Sequence, residues 1–450
     1  MQTLFVRTLA VATILIALPL GSALANSVRV EGLVGDPRTG MTYMFLDDDT
    51  GVFLNPALVS NYSSRISLNL GVGAGNGVTL EPMGGVMMQG DTVSFGIFLN
   101  REANRYSDQS AVATALIANP LNTPTYLPID AMVAFNLGDV SIGVGFYGAF
   151  GGSSSLSEDF FASDPSDPDD RDDSVVTENS NGGHYISASV GVSATVGDLS
   201  PQGWFRFTSL SDWEDSLSYL WSEGPDGEPE NHFTDLTTGL TSSFGISGGF
   251  RMPVELQYDL TLVPAVSAAY ATTSPFINNR LADLDVENDV AITRVFGLTA
   301  GVGLQYRPTE RVLAVFSVSG DASIGRYAFD NFENGDEFYQ EAFGGDVVHL
   351  PVITVGAEAK LLEHLKVRGC IRAGMAVGLT RGSEDFLDEE GILSYSDGTA
   401  NNADPQLSAA AGISLPFEEL TIDLTVGGDL LTGEESGSFF SQAGLTVNLP

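Results

Sequence analysis

Apolar and polar residues alternate with a period of two along most of this chain. Between Val140 and Phe150, the positions Val140, Ile142, Val144 and Phe146 fall on one side and Ser141, Gly143, Gly145 and Tyr147 on the other. Ile186, Ala188, Val190, Val192, Ala194 and Val196 are set in the same way against Ser187, Ser189, Gly191, Ser193 and Thr195. Leu420, Ile422, Leu424 and Val426 oppose Thr421, Asp423, Thr425 and Gly427. Side chains on successive residues of a strand point to opposite faces, so this pattern predicts strands with one greasy face and one small, polar face. Sixteen such segments are predicted, from Ser64–Gly73 at the start to Ser438–Leu449 at the end. Pro82 and Gly84-Gly85 interrupt the segment Val78–Met88, which leaves fourteen strands as the alternative count.

The connections decide what the greasy face meets. Short ones lie around Gly138-Asp139, Gly197 to Pro201, Arg251 to Pro253, Arg307 to Thr309, Leu362-Glu363 and Pro416 to Glu418. Long ones alternate with them: Gly151 to Gly182, Leu210 to Thr234, Thr272 to Asn288, Asp330 to Asp346 and Gly382 to Ala403. Strict alternation sorts the short turns to one side of a sheet and the long loops to the other, as in barrels with periplasmic turns and extracellular loops. In hydrocarbon every backbone N–H and C=O needs a partner within the protein, and a closed sheet supplies them all. The predicted fold is therefore all-β, a transmembrane antiparallel up-and-down β-barrel of 14–16 strands with its greasy faces in lipid.

The chain start supports that address. Arg7, the apolar stretch Leu9 to Leu20 and Ala23-Leu24-Ala25 occur in the order of a secretory signal peptide, which assigns residues 1–25 to export. Residues 26–63 do not alternate and form a separate N-terminal segment, and 64–450 make the barrel. The expected location is the bacterial outer membrane, with outer-membrane lipid as a partner. A single cysteine, Cys370, excludes an internal disulfide framework, and its place in the alternation puts it on the lumenal face.

Charge adds a second layer. The formal net charge is −39, and the five long connections carry more than half of the 58 acidic residues but only Arg171 and Arg280 of the 19 basic ones. The run from Asp164 to Asp173 has too few apolar groups to pack by itself. Loops of this sign repel nucleic acid, so nucleic-acid partners are excluded. Divalent cations at the acidic loops are a candidate partner, although no stretch has the ligand spacing of an EF-hand loop.

The segment ahead of the first strand contains Asp47-Asp48-Asp49-Thr50-Gly51-Val52-Phe53-Leu54-Asn55-Pro56-Ala57. Here the chain resembles the FadL-like outer-membrane transporter superfamily, whose members carry an acidic pair followed by Asn-Pro-Ala in a plug before the barrel. Asn55, Pro56 and Ala57 match that motif, and Asp47 and Asp48 match the upstream acids. The resemblance implies a plug over residues 26–63 and passive uptake of small hydrophobic or amphipathic compounds such as fatty acids. Two features depart from it: sixteen strands are counted against the family's fourteen, and Leu449-Pro450 stands where outer-membrane barrels commonly end on an aromatic residue. The superfamily also has non-transporting, secretion-associated members, so an interaction barrel is one alternative and a general diffusion porin another.

Basic residues are scarce, yet Lys360, Lys366, Arg368, Arg372 and Arg381 fall close together. Alternation turns Lys366, Arg368 and Arg372 inward from one strand and Glu358 and Lys360 inward from its hairpin partner. A tight turn at Leu362-Glu363 sets Glu358 opposite Arg368. Such a basic stripe could hold a carboxylate by charge-assisted hydrogen bonds, or form a lumenal ion-pair ladder with Glu358, Glu255, Asp259, Asp321 or Asp423. Catalytic readings are weaker. Gly245-Ile246-Ser247-Gly248-Gly249 fits G-x-S-x-G, but a nucleophile elbow needs a strand–turn–helix context and Ser247 lies inside an alternating strand. His349 near Asp346 is a remote acid–base candidate. The four histidines have no metal-ligand spacing, so neither an enzyme, a cofactor nor a metal centre is expected.

Overall fold

β-Branched and aromatic residues at every second position favour extended chain, and tight turns between such runs pair neighbouring strands antiparallel. The computed structural model describes residues 27–34, 44–46, 48–74, 83–100, 125–161, 173–223, 229–256, 259–273, 275–281, 284–333, 337–387, 393–430 and 439–449. The strands are β1 (Arg65–Ala74), β2 (Met83–Met88), β3 (Val93–Leu99), β4 (Thr125–Asn136), β5 (Val140–Phe161), β6 (Asp173–Ala194), β7 (Gln202–Glu223), β8 (Pro229–Arg251) and β9 (Val254–Leu256). They continue with β10 (Leu260–Thr273), β11 (Pro275–Leu281), β12 (Leu284–Thr309), β13 (Val312–Glu333), β14 (Glu337–Leu362), β15 (Leu365–Leu387), β16 (Leu393–Phe417), β17 (Leu420–Asp429) and β18 (Phe439–Asn448). β10 and β11 are successive stretches of one wall position, since β8 and β12 pair with both, and β9 is a short turn-side strand, so the wall has sixteen positions. β1 pairs with β18 from Arg65 opposite Asn448 to Ala74 opposite Phe439, which closes the sheet.

The wall is built inside out relative to a water-soluble protein. Val144, Phe146, Phe205, Phe207, Phe296, Phe316, Val355 and Val426 are exposed on the outer face. Between them in sequence, Ser187, Thr208, Ser317, Thr354 and Thr425 are buried on the lumenal face. A continuous apolar belt of this extent is incompatible with water, where exposed apolar patches seldom exceed a few hundred Å². No helix among the described residues is long and apolar enough to cross a membrane; the strands cross it. The chain is a transmembrane β-barrel of the outer-membrane type.

The hairpins reach further than the alternation indicates. β5 and β6 stay paired out to Phe161 opposite Asp173, β7 and β8 to Glu223 opposite Pro229, and β15 and β16 to Leu387 opposite Leu393. Much of each expected long loop is thus paired strand. Beyond the hydrocarbon the ladder is held by backbone hydrogen bonds and needs no apolar face, so pairing persists where the side-chain pattern fades. The expected signal peptide (1–25), Asp47 and most of the acidic run, residues 164–172, lie outside the described residues.

The lumenal face is not uniformly small and polar. Toward the short-turn end it carries Phe98, Met132, Trp204, Leu313 and Val315, which share one buried cluster with Val30, Leu33, Phe45, Val52, Phe53, Leu54, Leu58 and Val59 of the N-terminal segment. The apolar core therefore sits inside the barrel, made jointly by the wall and the chain that precedes it.

Candidate functional site: the seat of the N-terminal segment

The segment touches the wall in three places. Helix α1 (Ser27–Val34) buries Val30, Leu33 and Val34, spaced to share one helical face, and packs against β14, β15, β16 and β17. Its Arg29 donates to Asp48 of the same segment and, through Nε, to Glu358 Oε2 at 3.1 Å. Asp48 does more than pair with Arg29. Its Oδ1 accepts from the Thr50 amide at 3.4 Å at the start of the 3-10 turn Asp49–Phe53, and its carbonyl accepts from the Tyr62 hydroxyl at 2.6 Å.

Asn55 caps the next turn, Pro56–Asn61, with Oδ1 accepting from the Ala57 amide at 3.1 Å and Pro56 preset at the first position. Its Nδ2 donates to the Val192 carbonyl of β6 at 2.9 Å. The wall opposite must lack side chains: a Cβ on Gly191 would lie 1.9 Å from Asn55 Oδ1, and one on Gly143 would lie 2.2 Å from the Ala57 nitrogen. Ser60 donates its hydroxyl to Ser141 at 3.0 Å and closes this contact. Asn55, Pro56 and Ala57 thus form one docking knuckle over β5 and β6.

The third contact is made by wall donors on backbone carbonyls. Arg206 of β7 donates to the Phe53 carbonyl. Arg251, at the end of β8 and 1% exposed, donates through Nη1 to the Met44 and Leu46 carbonyls at 3.2 and 2.8 Å and through Nε to Gln202 Oε1 at 2.6 Å. Gln305 of β12 donates to the Phe45 carbonyl at 2.8 Å. Sequence reasoning missed Arg29, Arg206, Arg251 and Gln305. The available signal was scarcity: an arginine on the inward parity of β7, between Trp204 and Thr208, is rare enough to need a partner.

The basic stripe has the register its hairpin implies. Glu358 stands opposite Arg368, Lys360 opposite Lys366, and Thr354 opposite Arg372. Arg368 donates to Asp423 and lies 3.7 Å from Glu358, while Lys366 reaches Glu358 at 3.9 Å. Arg372 is buried on the same face, and Lys360 makes no ion pair among the described residues. Of the expected acidic partners, Glu358 and Asp423 take the role, whereas Asp321 does not and Glu255 and Asp259 lie exposed near the short turns. Cys370 is buried on the lumenal face between Arg368 and Arg372.

Two further candidates change their meaning. His349 pairs with Asp321, its cross-strand neighbour on β13, at 2.7 Å: an irregularity between His349 and Ile353 turns it inward, and Asp346, three residues back on the same strand, points to the opposite face. Ser247 is buried within β8, which continues as strand to Arg251 with no helix after it, so the elbow geometry is not present at this serine. Among the described residues no group of three or more His, Cys, Asp or Glu is placed to hold a metal ion.

No protein-family model and no curated protein matches the chain. Among solved structures, the Pseudomonas putida toluene transporter TodX is 13% identical over 93% of this chain and 95% of that one, at a TM-score of 0.38. The Ralstonia pickettii toluene transporter TbuX is 14% identical over 93% and 97%, also at 0.38. The ferric-catecholate import receptor Fiu of E. coli K12 is 10% identical over 86% and 82%, at 0.34. Barrels with quite different cargo score alike at this level, so these likenesses decide neither family nor cargo.

Proposed function

We propose that this barrel mediates passive uptake of small hydrophobic or amphipathic compounds across the outer membrane, with residues 26–63 as its plug. One observation carries the reading: the lumen at the short-turn end is filled by the apolar cluster around Phe53, Leu54, Leu58, Phe98 and Trp204. An open pore for polar solutes would need a hydrated bore there. Above the plug, Tyr147, Ala149, Tyr185 and Leu210 form a second buried inward cluster, with the two tyrosine rings edge to face at 5.4 Å. An apolar solute entering from the long-hairpin side therefore meets apolar surface and gains about 25 cal/mol per Å² it buries. Passage inward follows when the knuckle at Asn55-Pro56-Ala57 leaves its glycine floor. Fatty acids, implied by the resemblance of the Asn-Pro-Ala segment, are the finer expectation within this class.

The test is reconstitution into liposomes. The intact protein is expected to admit toluene and octanoate and to exclude sucrose, and deletion of residues 27–61 is expected to let sucrose through. Sucrose entry through the intact protein would make it a porin and end the plug role. Exclusion of both hydrophobic probes would end the uptake reading.

A further inference from the structure

We propose that Arg251 is an anion-binding seat which the plug occupies with its own backbone carbonyls, and that a carboxylate-bearing amphiphile loosens the plug by exchanging for them. The inference rests on the uptake reading and names what moves the plug. Its basis is a contrast among buried cations. Arg368 pairs with Asp423 and Glu358, and Arg29 with Asp48 and Glu358. Arg251 is buried as deeply as Arg368 and more deeply than the partly exposed Arg29, yet among the described residues no carboxylate pairs with it. Its guanidinium is held by the neutral oxygens of Met44, Leu46 and Gln202, and its Nη2 has no hydrogen-bond partner. That nitrogen faces Gly51 of the plug, where a Cβ would come within 3.1 Å of it.

A buried cation satisfied only by dipoles is under-compensated, and a carboxylate is the acceptor that fits it best. The guanidinium presents two parallel N–H donors along one edge, and both oxygens of a carboxylate bond them at once, with charge on each partner. Nη1 would give up the Met44 and Leu46 carbonyls, Nη2 would gain an acceptor, and Nε would keep Gln202. The freed carbonyls belong to the stretch that leads into Asp48 and the docking knuckle, so their release slackens the segment at its middle contact. With the plug seated Arg251 is closed to solvent, so the anion enters only as residues 44–51 yield. This is competition for one set of donors. An uncharged ester of the same chain length offers no such exchange.

The experiment uses the full chain in nanodiscs, with Leu54→Cys as a reporter in a Cys370→Ser background. Leu54 is 1% exposed, so maleimide labels it only when the plug moves. Octanoate is expected to speed labelling by about ten-fold or more, a shift of ~1.4 kcal/mol in the seating equilibrium, and methyl octanoate to leave it near the basal rate. Arg251→Gln should raise the basal rate and abolish the difference between the two probes, while Arg251→Lys should keep part of it. Heat-modifiable gel mobility checks that each variant is a folded barrel. Equal acceleration by acid and ester, or a difference that survives Arg251→Gln, overturns the proposal. If neither probe changes labelling while liposomes still take up octanoate, the anion seat is wrong and the uptake reading stands. If octanoate is excluded while toluene enters, the anion seat falls and the uptake reading stands; if neither enters, both fall.

Discussion

The two sides of the lumen hold the N-terminal segment by different physics. On the side of β14 to β17 the helix with buried Val30, Leu33 and Val34 packs on the wall, and Arg29 meets Glu358, which joins Asp48 of the segment to a wall network of Arg368, Lys366 and Asp423 in one chain of ion pairs. On the side of β5 to β12 the segment offers backbone oxygens to wall donors and the Asn55 amide to the Val192 carbonyl, over a floor of glycines. Opposite charges buried together are costly to separate, because the one left behind stays desolvated. Hydrogen bonds to neutral carbonyls can be exchanged for others at little net cost. The contrast assigns permanence to the first side and exchange to the second.

The sharpest way to break the contrast is Arg368→Met. It takes the Arg368 charge away from Asp423, whose side chain is 0% exposed, and should destabilise the barrel by about 3–5 kcal/mol in urea unfolding from lipid vesicles. Adding Asp423→Leu should recover most of that loss, since a packed apolar pair replaces a broken ionic one. A smaller and more local effect is expected from Asn55→Ala. Loss of the cap and of the Val192 contact should weaken the knuckle by about 1–2 kcal/mol, read as faster hydrogen exchange at the Ala57 amide with an unchanged global midpoint. A shifted midpoint would mean that the carbonyl side is structural after all. Smallest is Lys366→Gln: its side chain is 36% exposed and 3.9 Å from Glu358, so less than ~1 kcal/mol should be lost. A larger loss would place Lys366 among the pairs that hold the network together.

The charged side was legible in the sequence and the exchangeable side was not. A period of two and a tight turn at Leu362-Glu363 are enough to put Glu358 opposite Arg368, because in a hairpin the turn fixes the register of every later pair. Asn55-Pro56-Ala57 stood out through the resemblance of its motif, and the structure shows why those side chains matter there: Asn55 caps the turn that docks on the wall. What could not be read was the target of Arg206, Arg251 and Gln305, which bond oxygens of the main chain that every residue possesses. Strand ends were lost for a related reason: outside the hydrocarbon, pairing asks nothing of the side chains. The partner of His349 was not legible because a single irregularity in β14 turns it inward to face Asp321, and periodicity alone carries no sign of it.

Closure of β1 onto β18 has a consequence for biogenesis. The floor beneath Asn55 is built by residues synthesised early, whereas Arg29 meets a glutamate 329 positions later in the chain. This early-translated segment thus acquires half of its berth at once and must wait for the other half until the last hairpins arrive. Contacts spanning such separations form slowly. Final lodging of the N-terminus is therefore a late assembly event, and a partly inserted intermediate would leave this stretch open to periplasmic proteases.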